Sequence, residues 1–381
     1  MKIAQVTPYD FHHPGGVSRH IAHLRNEFER MGHEVVILAP RSSHGGIEVR
    51  DGFYGIGRTF TVPGNGSRAR LTFDVTLYNV VKEILQRERF DVVHLHEPLT
   101  PVLPYMVLFN SKAVNVATFH AARASNPWYS AFKPYFSFVL SRLDGRIAVS
   151  EAARDLMLQY FDGPYDIIPN GIDLKTYHAD VEPFPWARDG TPRILFVGRF
   201  NETRKGFTYL LRAMPLVHQQ FPRARLVVVG PGKPEKFDGT MWRYGVANVD
   251  FVGQVSASEL PRYYASCDLF CAPSIERESF GMVLLEAMAC GKPVIATNIS
   301  GYAGVVAHER EGLLVEPRNP AALALAIVRL LADRELRTRF SIAGQQTAAR
   351  YAWPRIAARV LDIYEQAAAV AGTAKWRQNF G

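Results

Sequence analysis

The chain has 381 residues, 48% of them hydrophobic and 21% charged, with a formal net charge of +8. That length accommodates two domains of ordinary size, and the composition is that of a soluble globular protein. No apolar run approaches the roughly 20 residues that a membrane-spanning helix needs, and "MKIAQVTPYDFHHPGG" breaks into Pro, His and Gly too early for a secretory leader. The positive balance calls for an anionic partner, either a phosphate-bearing small molecule or an acidic lipid surface. Nucleic acid is set aside, because no basic tail or aromatic-studded basic stripe accompanies the charge. Three cysteines, Cys267, Cys271 and Cys290, form an odd and sparse set. They read as buried thiols in a reducing compartment, with Cys267 and Cys271 on one face of a strand.

In chain order, the first strand "KIAQVT" runs into "PYDFHHPGGVSRHIAHLRNEF". Gly15 and Gly16 fall where a strand hands over to a helix, so backbone N–H groups there can approach an anion without Cβ interference. A plain tight turn would use the same glycines. Further strands are expected at "EVVILA", "DVVHLH", "AVNVATF" and "GRIAVS". His94 and His96 in "HLHEP" suggest metal ligands, but no third ligand is evident and no metal is assigned. "NPWYSAFKPYFSFVLSRL" places Trp128, Phe132, Phe136, Val139 and Leu143 near one helical face, with Lys133 and Arg142 nearby. Such a segment suits a membrane interface, or a core helix interrupted by Pro134.

"PNGIDLKTYHADVEPFPWARDGTPR" reads as a linker, and a second strand series follows: "RILFVG", "RLVVVG", "NVDFVG", "CDLFCAP" and "KPVIAT". In "VGRFNETRKGF", Arg199 and Lys205, with Arg204 beside it, put cations on the loop between a strand and a helix. That placement suits a diphosphate. "VVVGPGKPEKF" lacks the third glycine of a dinucleotide fingerprint.

In "ERESFGMVLLEAMACGKPV", Glu278 and Glu286 stand eight positions apart. With a helix N-cap at Ser279 or a neighbour, Glu278 lies just before the helix and Glu286 about two turns into it. Eight helical residues rise about 12 Å, comparable with the distance from the hexose to the ribose of a nucleotide sugar. Carboxylates accept paired hydrogen bonds from vicinal hydroxyls. The amides of Phe280 and Gly281, at the positive end of the helix, could hold the diphosphate between them. The tail "WPRIAARVLDIYEQAAAV" closes the chain as a helix, with Ile356, Val360, Ile363 and Tyr364 on one face and Pro354 near its start.

Alternating strands and helices predict an α/β protein of two facing, doubly wound, Rossmann-like domains with parallel sheets and a cleft between them. The expected boundaries are 1–172, with the helix 353–381 packing back on it, and 173–352. The E-x7-E spacing with "ESFG" and "EAMACGKPVIAT", the "GRFNETRKG" loop and the "PGGV" turn resemble the retaining family 4 glycosyltransferases of GT-B fold, in particular bacterial phosphatidylinositol mannosyltransferases. "HLHEP", "ATFH", "GRIAVS" and "IPNGID" extend the resemblance over nearly the whole chain.

The resemblance implies that Glu278 holds the transferred hexose, Glu286 the ribose, and Arg199 and Lys205 the departing diphosphate, with Ser279 in the same loop. It implies that His120, in "ATFH", touches the donor sugar near the reacting carbon, and that Gly16 lets the first domain approach the donor phosphates. It implies no cofactor and no metal, and a donor that is GDP-mannose or UDP-glucose. Acceptors would bind the first domain, where Asn65, Gly66 and Ser67 in "RTFTVPGNGSRARLTF" match the headgroup-binding region of the mannosyltransferases. Gly64 stands where an aromatic residue is expected, and Lys82 where a basic cluster is expected. Arg68 and Arg70 would meet a phosphate, or be surface charges.

The expected function is hexose transfer with retention to a lipid-linked or polyol acceptor, in the cytoplasm, with peripheral contact at an anionic membrane face as an extension. A soluble acceptor, a sugar-nucleotide epimerase of similar two-domain build, and a binding module without chemistry are the alternatives.

Overall fold

The structure is a computed structural model. It describes the chain apart from residues 12–14, 42–46, 65–66, 73, 122–124, 277 and 381, and apart from the side chains at 47, 61–64, 67–70, 75 and 373–380. The chain divides into two compact units, Met1–Gly171 with Trp353–Gly381, and Ile172–Ala352.

The first unit contains β1 (Lys2–Val6), α1 (Gly16–Arg30), β2 (Glu34–Arg41), β3 (Ile47–Arg50), β4 (Phe53–Gly64), β5 (Ser67–Thr72), α2 (Tyr78–Glu88), β6 (Val92–His96) and α3 (Leu103–Asn110). These are followed by β7 (Val114–Phe119), α4 (Pro127–Ala131), α5 (Lys133–Leu140), β8 (Gly145–Ala148), α6 (Glu151–Leu158) and β9 (Asp166–Ile167). The strand order is β3-β4-β2-β1-β6-β7-β8-β9, with β5 paired to β4. β3 and β5 run antiparallel to β4, and the other pairs are parallel. The parallel strands are apolar on both faces, as a sheet covered on both sides requires. Ile3, Val35, Val92, Val116 and Ile147 feed one core; Ala4, Val36, Val93, Leu95 and Ala117 feed the other.

The second unit contains β10 (Arg193–Val197), α7 (Phe207–His218), β11 (Arg225–Val229), α8 (Asp238–Tyr244), β12 (Val249–Gly253), α9 (Leu260–Ala265), β13 (Leu269–Ala272) and α10 (Met282–Ala289). β14 (Val294–Thr297), α11 (Ser300–Ala303), β15 (Gly312–Val315), α12 (Pro320–Ala332) and α13 (Arg334–Arg350) complete it. Its six parallel strands lie in the order β12-β11-β10-β13-β14-β15. Both sheets are doubly wound: the order reverses between β1 and β6 in one and between β10 and β13 in the other. At such a switch point the loops leaving adjacent strands diverge, and ligands gather at the carboxyl ends.

The last helix, α14 (Trp353–Phe380), returns the chain to the first unit. Its Ile356, Val360, Ile363 and Tyr364 recur at helical spacing and are buried against Ile3, Val92 and Val116. Pro354 sits in its first turn, where an absent N–H breaks no helical bond.

Four expectations change in detail. Strands β3, β4, β5, β9 and β15 add to the expected set. The expected linker is bound to the second unit: Phe184 stacks on Trp186 at 5.5 Å, its N–H donates to Ser266 Oγ at 2.8 Å, and Arg193 lies 4.9 Å above the Trp186 ring. Cys267 and Cys271 do not share a strand face, because Cys267 precedes β13 and packs in the core on one side of the sheet while Cys271 packs on the other. All three thiols are buried and unbonded to one another, and burial pushes Cys267 and Cys290 up to about 12. The aromatic segment forms two short helices, α4 and α5, with Pro134 in the first turn of the second. Val139 is buried, whereas Trp128, Phe132, Tyr135 and Phe138 are exposed.

Ile356 is 1% exposed within the core that α14 closes. Ile356→Ala is expected to lower unfolding free energy by about 3 kcal/mol through lost burial and a residual cavity. Chemical denaturation would register this as a lower midpoint.

Candidate active site

In the second unit, the loops after β10 and β13 flank the switch point, and they carry the cations and the first acid. Lys205 Nζ and Arg204 Nη1 both lie 2.7 Å from Glu278 Oε1. Arg204 Nη2 reaches Glu202 Oε2 at 2.6 Å, and Glu202 Oε1 lies 3.3 Å from Arg199. The result is a continuous network, Arg199–Glu202–Arg204–Glu278–Lys205, with three cations against two acids. Glu278 is 12% exposed at its side chain and Arg199 is 56% exposed, so the outer end of the network is open to a ligand.

Ser274 Oγ donates to Glu278 Oε1 at 3.3 Å and accepts from the Tyr302 hydroxyl at 2.9 Å. Burial holds Tyr302 well above the usual phenol range, so it remains a donor. Every polar contact given to Glu278 from the described residues goes to Oε1, which leaves the lone pairs of Oε2 for hydroxyl donors.

Two glycines make this packing possible. Gly206 has φ +65°, and a Cβ there would fall 1.8 Å from the Pro273 carbonyl oxygen. The cationic loop can therefore lie directly on the exit of β13, and the Ile275 N–H donates to the Arg204 carbonyl at 2.8 Å. Gly281, with φ +81°, is the N-cap of α10, and a Cβ on it would meet the Tyr302 ring at 2.7 Å.

The N-cap is thus Gly281 rather than Ser279, and Glu286 stands just over one turn into α10 instead of two. Glu286 is 8% exposed and accepts from the Tyr264 hydroxyl at 2.8 Å. The Tyr264 phenol is held well above its ordinary range by burial and by the Glu286 charge. Ser279 is half-buried in the loop, and the Phe280 ring is buried 5.6 Å from that of Tyr351. Phe280 can therefore offer only its backbone to a ligand. The Leu284 N–H donates to the Gly281 carbonyl at 2.9 Å, and the amides before it precede the first intrahelical bond.

In the first unit, Gly15 is the N-cap of α1 and Gly16 its first residue. A Cβ at either would meet no described atom within 4 Å, so the protein's own packing does not demand glycine there. His120 follows β7 on the carboxyl edge. Its N–H and that of Ala121 donate to Glu97 Oε1 at 2.6 and 2.8 Å. Glu97 itself takes φ +56°, a conformation that costs a non-glycine residue about 1 kcal/mol and clusters at functional sites.

The third imidazole that sequence reasoning did not find is His20, on α1. His20, His96 and His120 bring ring nitrogens within 4.8 Å of one another. His96 Nδ1 and His120 Nε2 are 3.0 Å apart in a hydrogen bond, and His20 Nδ1 lies 2.8 Å from Asn170 Oδ1. A hydrogen bond already joins two of the three nitrogens, and the cluster is a polar network. His94 is part of it, fully buried between Tyr364 and Thr118. Of the acceptor residues, Asn65 lies outside the described residues. Ser67, Arg68 and Arg70 have backbone in β5, paired with Gly64, Pro63 and Thr61, and their side chains lie outside the description.

Glu202, Tyr264, Ser274 and Tyr302 were missed in sequence. Only Glu202 had a signal there, as a lone acid inside "RFNETRKG". The tyrosines are recruited across the fold.

A pattern described as Glycosyltransferase Family 4 matches residues 14–176, and one described as Glycosyl transferases group 1 matches residues 180–347. Together with two doubly wound sheets and a cationic loop facing an acid at a switch point, these matches define the class: the chain belongs to the family 4 glycosyltransferases of GT-B fold. It is 36% identical to phosphatidyl-myo-inositol mannosyltransferase of Mycobacterium tuberculosis, over 97% of each chain. Among solved structures it resembles sucrose-phosphate synthase of Thermosynechococcus elongatus, with TM-score 0.76 and 25% identity over 97% of this chain and 100% of that one. It also resembles HepE of Anabaena in complex with UDP and glucose, with TM-score 0.71 and 20% identity over 95% and 98%. Glycosyl transfer, not epimerisation or binding alone, is the chemistry of this class.

The buried histidines set a pH dependence. Burial lowers His20 to about 4 and His94 to about 3, and lowers His96 and His120 well below the usual value. In the unfolded chain each titrates near 6.5. Below that pH the unfolded state binds protons that the native state refuses, so stability falls as pH falls. From pH 6.5 to pH 5 the expected loss is about 2 kcal/mol for each of His20 and His94. Thermal melts across that range would record it, and His94→Gln should flatten the slope.

Proposed function

We propose that this glycosyltransferase moves a hexose, with retention of configuration, from a nucleotide diphosphate sugar to a lipid-linked or polyol acceptor of the phosphatidylinositol kind. The observation that carries this reading is the paired donation of Arg204 and Lys205 to one oxygen of Glu278. It fixes an acid for sugar hydroxyls beside cations for phosphate, on loops at a switch point.

In this reading Glu278 Oε2 accepts from hydroxyls of the transferred hexose, and Glu286, oriented by Tyr264, accepts from the ribose. Arg199 and Lys205 meet the diphosphate together with the amides of Ser279, Phe280 and Gly281. Gly15 and Gly16, which the fold does not require, leave the amide end of α1 open to the phosphates, and His120 touches the sugar near the reacting carbon. The bond from the anomeric carbon to the phosphate oxygen breaks through an oxocarbenium-like state. The acceptor oxygen bonds to that carbon on the same face, and its proton passes to the departing phosphate oxygen. Cations already in position stabilise the growing charge without reorganisation. No bound cofactor has a part in this scheme.

GDP-mannose is favoured as donor by the relatives named as mannosyltransferases. UDP-glucose is the competitor, and the Anabaena structure is a complex with UDP and glucose. Incubating the protein with each donor and a lipid extract, then reading product mass and anomeric configuration, tests donor, acceptor and stereochemistry together. An inverted product would overturn retention. A soluble glycoside as the sole product would overturn the lipid acceptor.

Lys205→Ala and Glu278→Gln are each expected to lower kcat by about 10²–10³-fold, as loss of a preorganised charge does. Donor affinity measured by calorimetry should change far less. Weakened affinity with kcat unchanged would place these residues in binding alone.

Peripheral membrane contact on the cytoplasmic side is supported by the exposed Trp128, Phe132, Tyr135 and Phe138. Lys133 and Arg142 accompany them, and no acid occurs from 126 to 143. No described helix is long and apolar enough to cross a membrane. Replacing Trp128 and Phe138 by Ser is expected to weaken sedimentation with anionic vesicles by about tenfold or more, from the apolar area lost. Unchanged sedimentation would assign the patch another role.

A further inference from the structure

His120 ends a hydrogen-bonded chain that begins on the C-terminal helix. The Tyr364 oxygen lies 2.6 Å from His94 Nδ1 and 3.2 Å from Gln5 Nε2. Gln5 Oε1 lies 2.7 Å from His96 Nε2, and His96 Nδ1 lies 3.0 Å from His120 Nε2. At the other end His94 Nε2 meets Thr118 Oγ1 at 2.6 Å. Burial keeps these imidazoles neutral, holding His94 near 3 and His96 and His120 well below the usual value. A neutral imidazole has one donor and one acceptor nitrogen. At each ring, fixing the direction of one link therefore fixes that of the other.

The Gln5 amide sets it. Its NH2 group donates to the Tyr364 oxygen at 3.2 Å. With its NH2 group turned to Tyr364, Gln5 presents Oε1 to His96, which must donate from Nε2. His96 Nδ1 is left bare and accepts from His120 Nε2–H.

We propose that Tyr364, Gln5 and His96 are positioning residues that hold His120 in its Nε2–H tautomer, so that its Nδ1 lone pair is an acceptor for a hydroxyl of the bound sugar. The tautomer stands on the first unit alone, while the sugar contact rests on the role given to His120 above. Tautomer control of this kind matters because a ring locked the wrong way presents N–H where a lone pair is needed. The C-terminal helix, otherwise a packing element, thereby acts on the reacting end of the molecule.

The test uses the full chain without ligand, labelled with ¹⁵N-histidine. Long-range ¹H–¹⁵N correlations at neutral pH report which ring nitrogen of His120 carries the proton. Wild type should give a single Nε2–H tautomer. Tyr364→Phe removes the acceptor that orients the Gln5 amide, and Gln5→Met removes the relay. Each should give mixed tautomers at His120 and a kcat lower by about tenfold, the worth of one oriented hydrogen bond. An Nδ1–H tautomer of His120 in wild type overturns the proposal even if neither variant folds, and so does an unchanged single tautomer in both variants. A shifted tautomer with unaltered kcat overturns the sugar contact and leaves the relay standing.

Discussion

Two cations donate to one oxygen of one carboxylate, and the order of the charged loops in the second unit depends on that contact. Lys205 and Arg204 would repel each other at this separation, and Glu278 holds them together. Arg204 is held in turn by Glu202, and Glu278 by a serine that a buried tyrosine orients. An acid so placed neutralises part of the cationic charge before a ligand arrives, yet keeps an oxygen for hydroxyl groups. In the proposed reading, the site is organised in advance for a ligand that is anionic in one part and polyhydroxylated in another, as a nucleotide sugar is. Preorganisation is what lets fixed charges stabilise a leaving group without first rearranging.

Parallel sheets explain why the contact falls where it does. All strands of such a sheet present their carboxyl ends on one edge, and only at the order reversal do neighbouring loops part. The loops after β10 and β13 are those neighbours in the second unit. In the first unit, the reversal between β1 and β6 puts the carboxyl end of β1, which leads to Gly15 and Gly16, beside that of β6, which ends at His96. β7 adds His120 one strand further on. Gly206 then allows a separation between loops that a side chain would forbid. The residues to which chemistry is assigned in the proposal thus come from loop exits, while the buried strands supply rigidity.

The first unit solves a different problem, that of keeping several histidines uncharged within one core. Desolvation disfavours the imidazolium form, and paired hydrogen bonds satisfy each buried ring as a neutral one. Tyr364 reaches into this network from a helix more than two hundred residues beyond β6. The return of α14 to the first unit therefore has consequences beyond covering an apolar sheet face.

How much of this the sequence carried can be judged residue by residue. Alternating apolar strands and amphipathic helices determined the doubly wound class, and the local strings "GRFNETRKG" and "ESFGMVLLE" determined which residues carry charge, because strand apolarity, glycine placement and charge type are local properties. The pairing of His96 with His120, the arrival of His20, the anchoring of Glu286 by Tyr264, and the packing of Phe184 in the supposed linker against Tyr263 and Ser266 were decided only by the tertiary structure. Each joins residues far apart in the chain, and a hydrogen bond of 3 Å leaves no periodicity in the sequence. The start of α10 belongs with them: Gly281 rather than Ser279 caps it because the turn requires a positive φ beside the Tyr302 ring, a neighbour that lies next to it only once the sheet is wound.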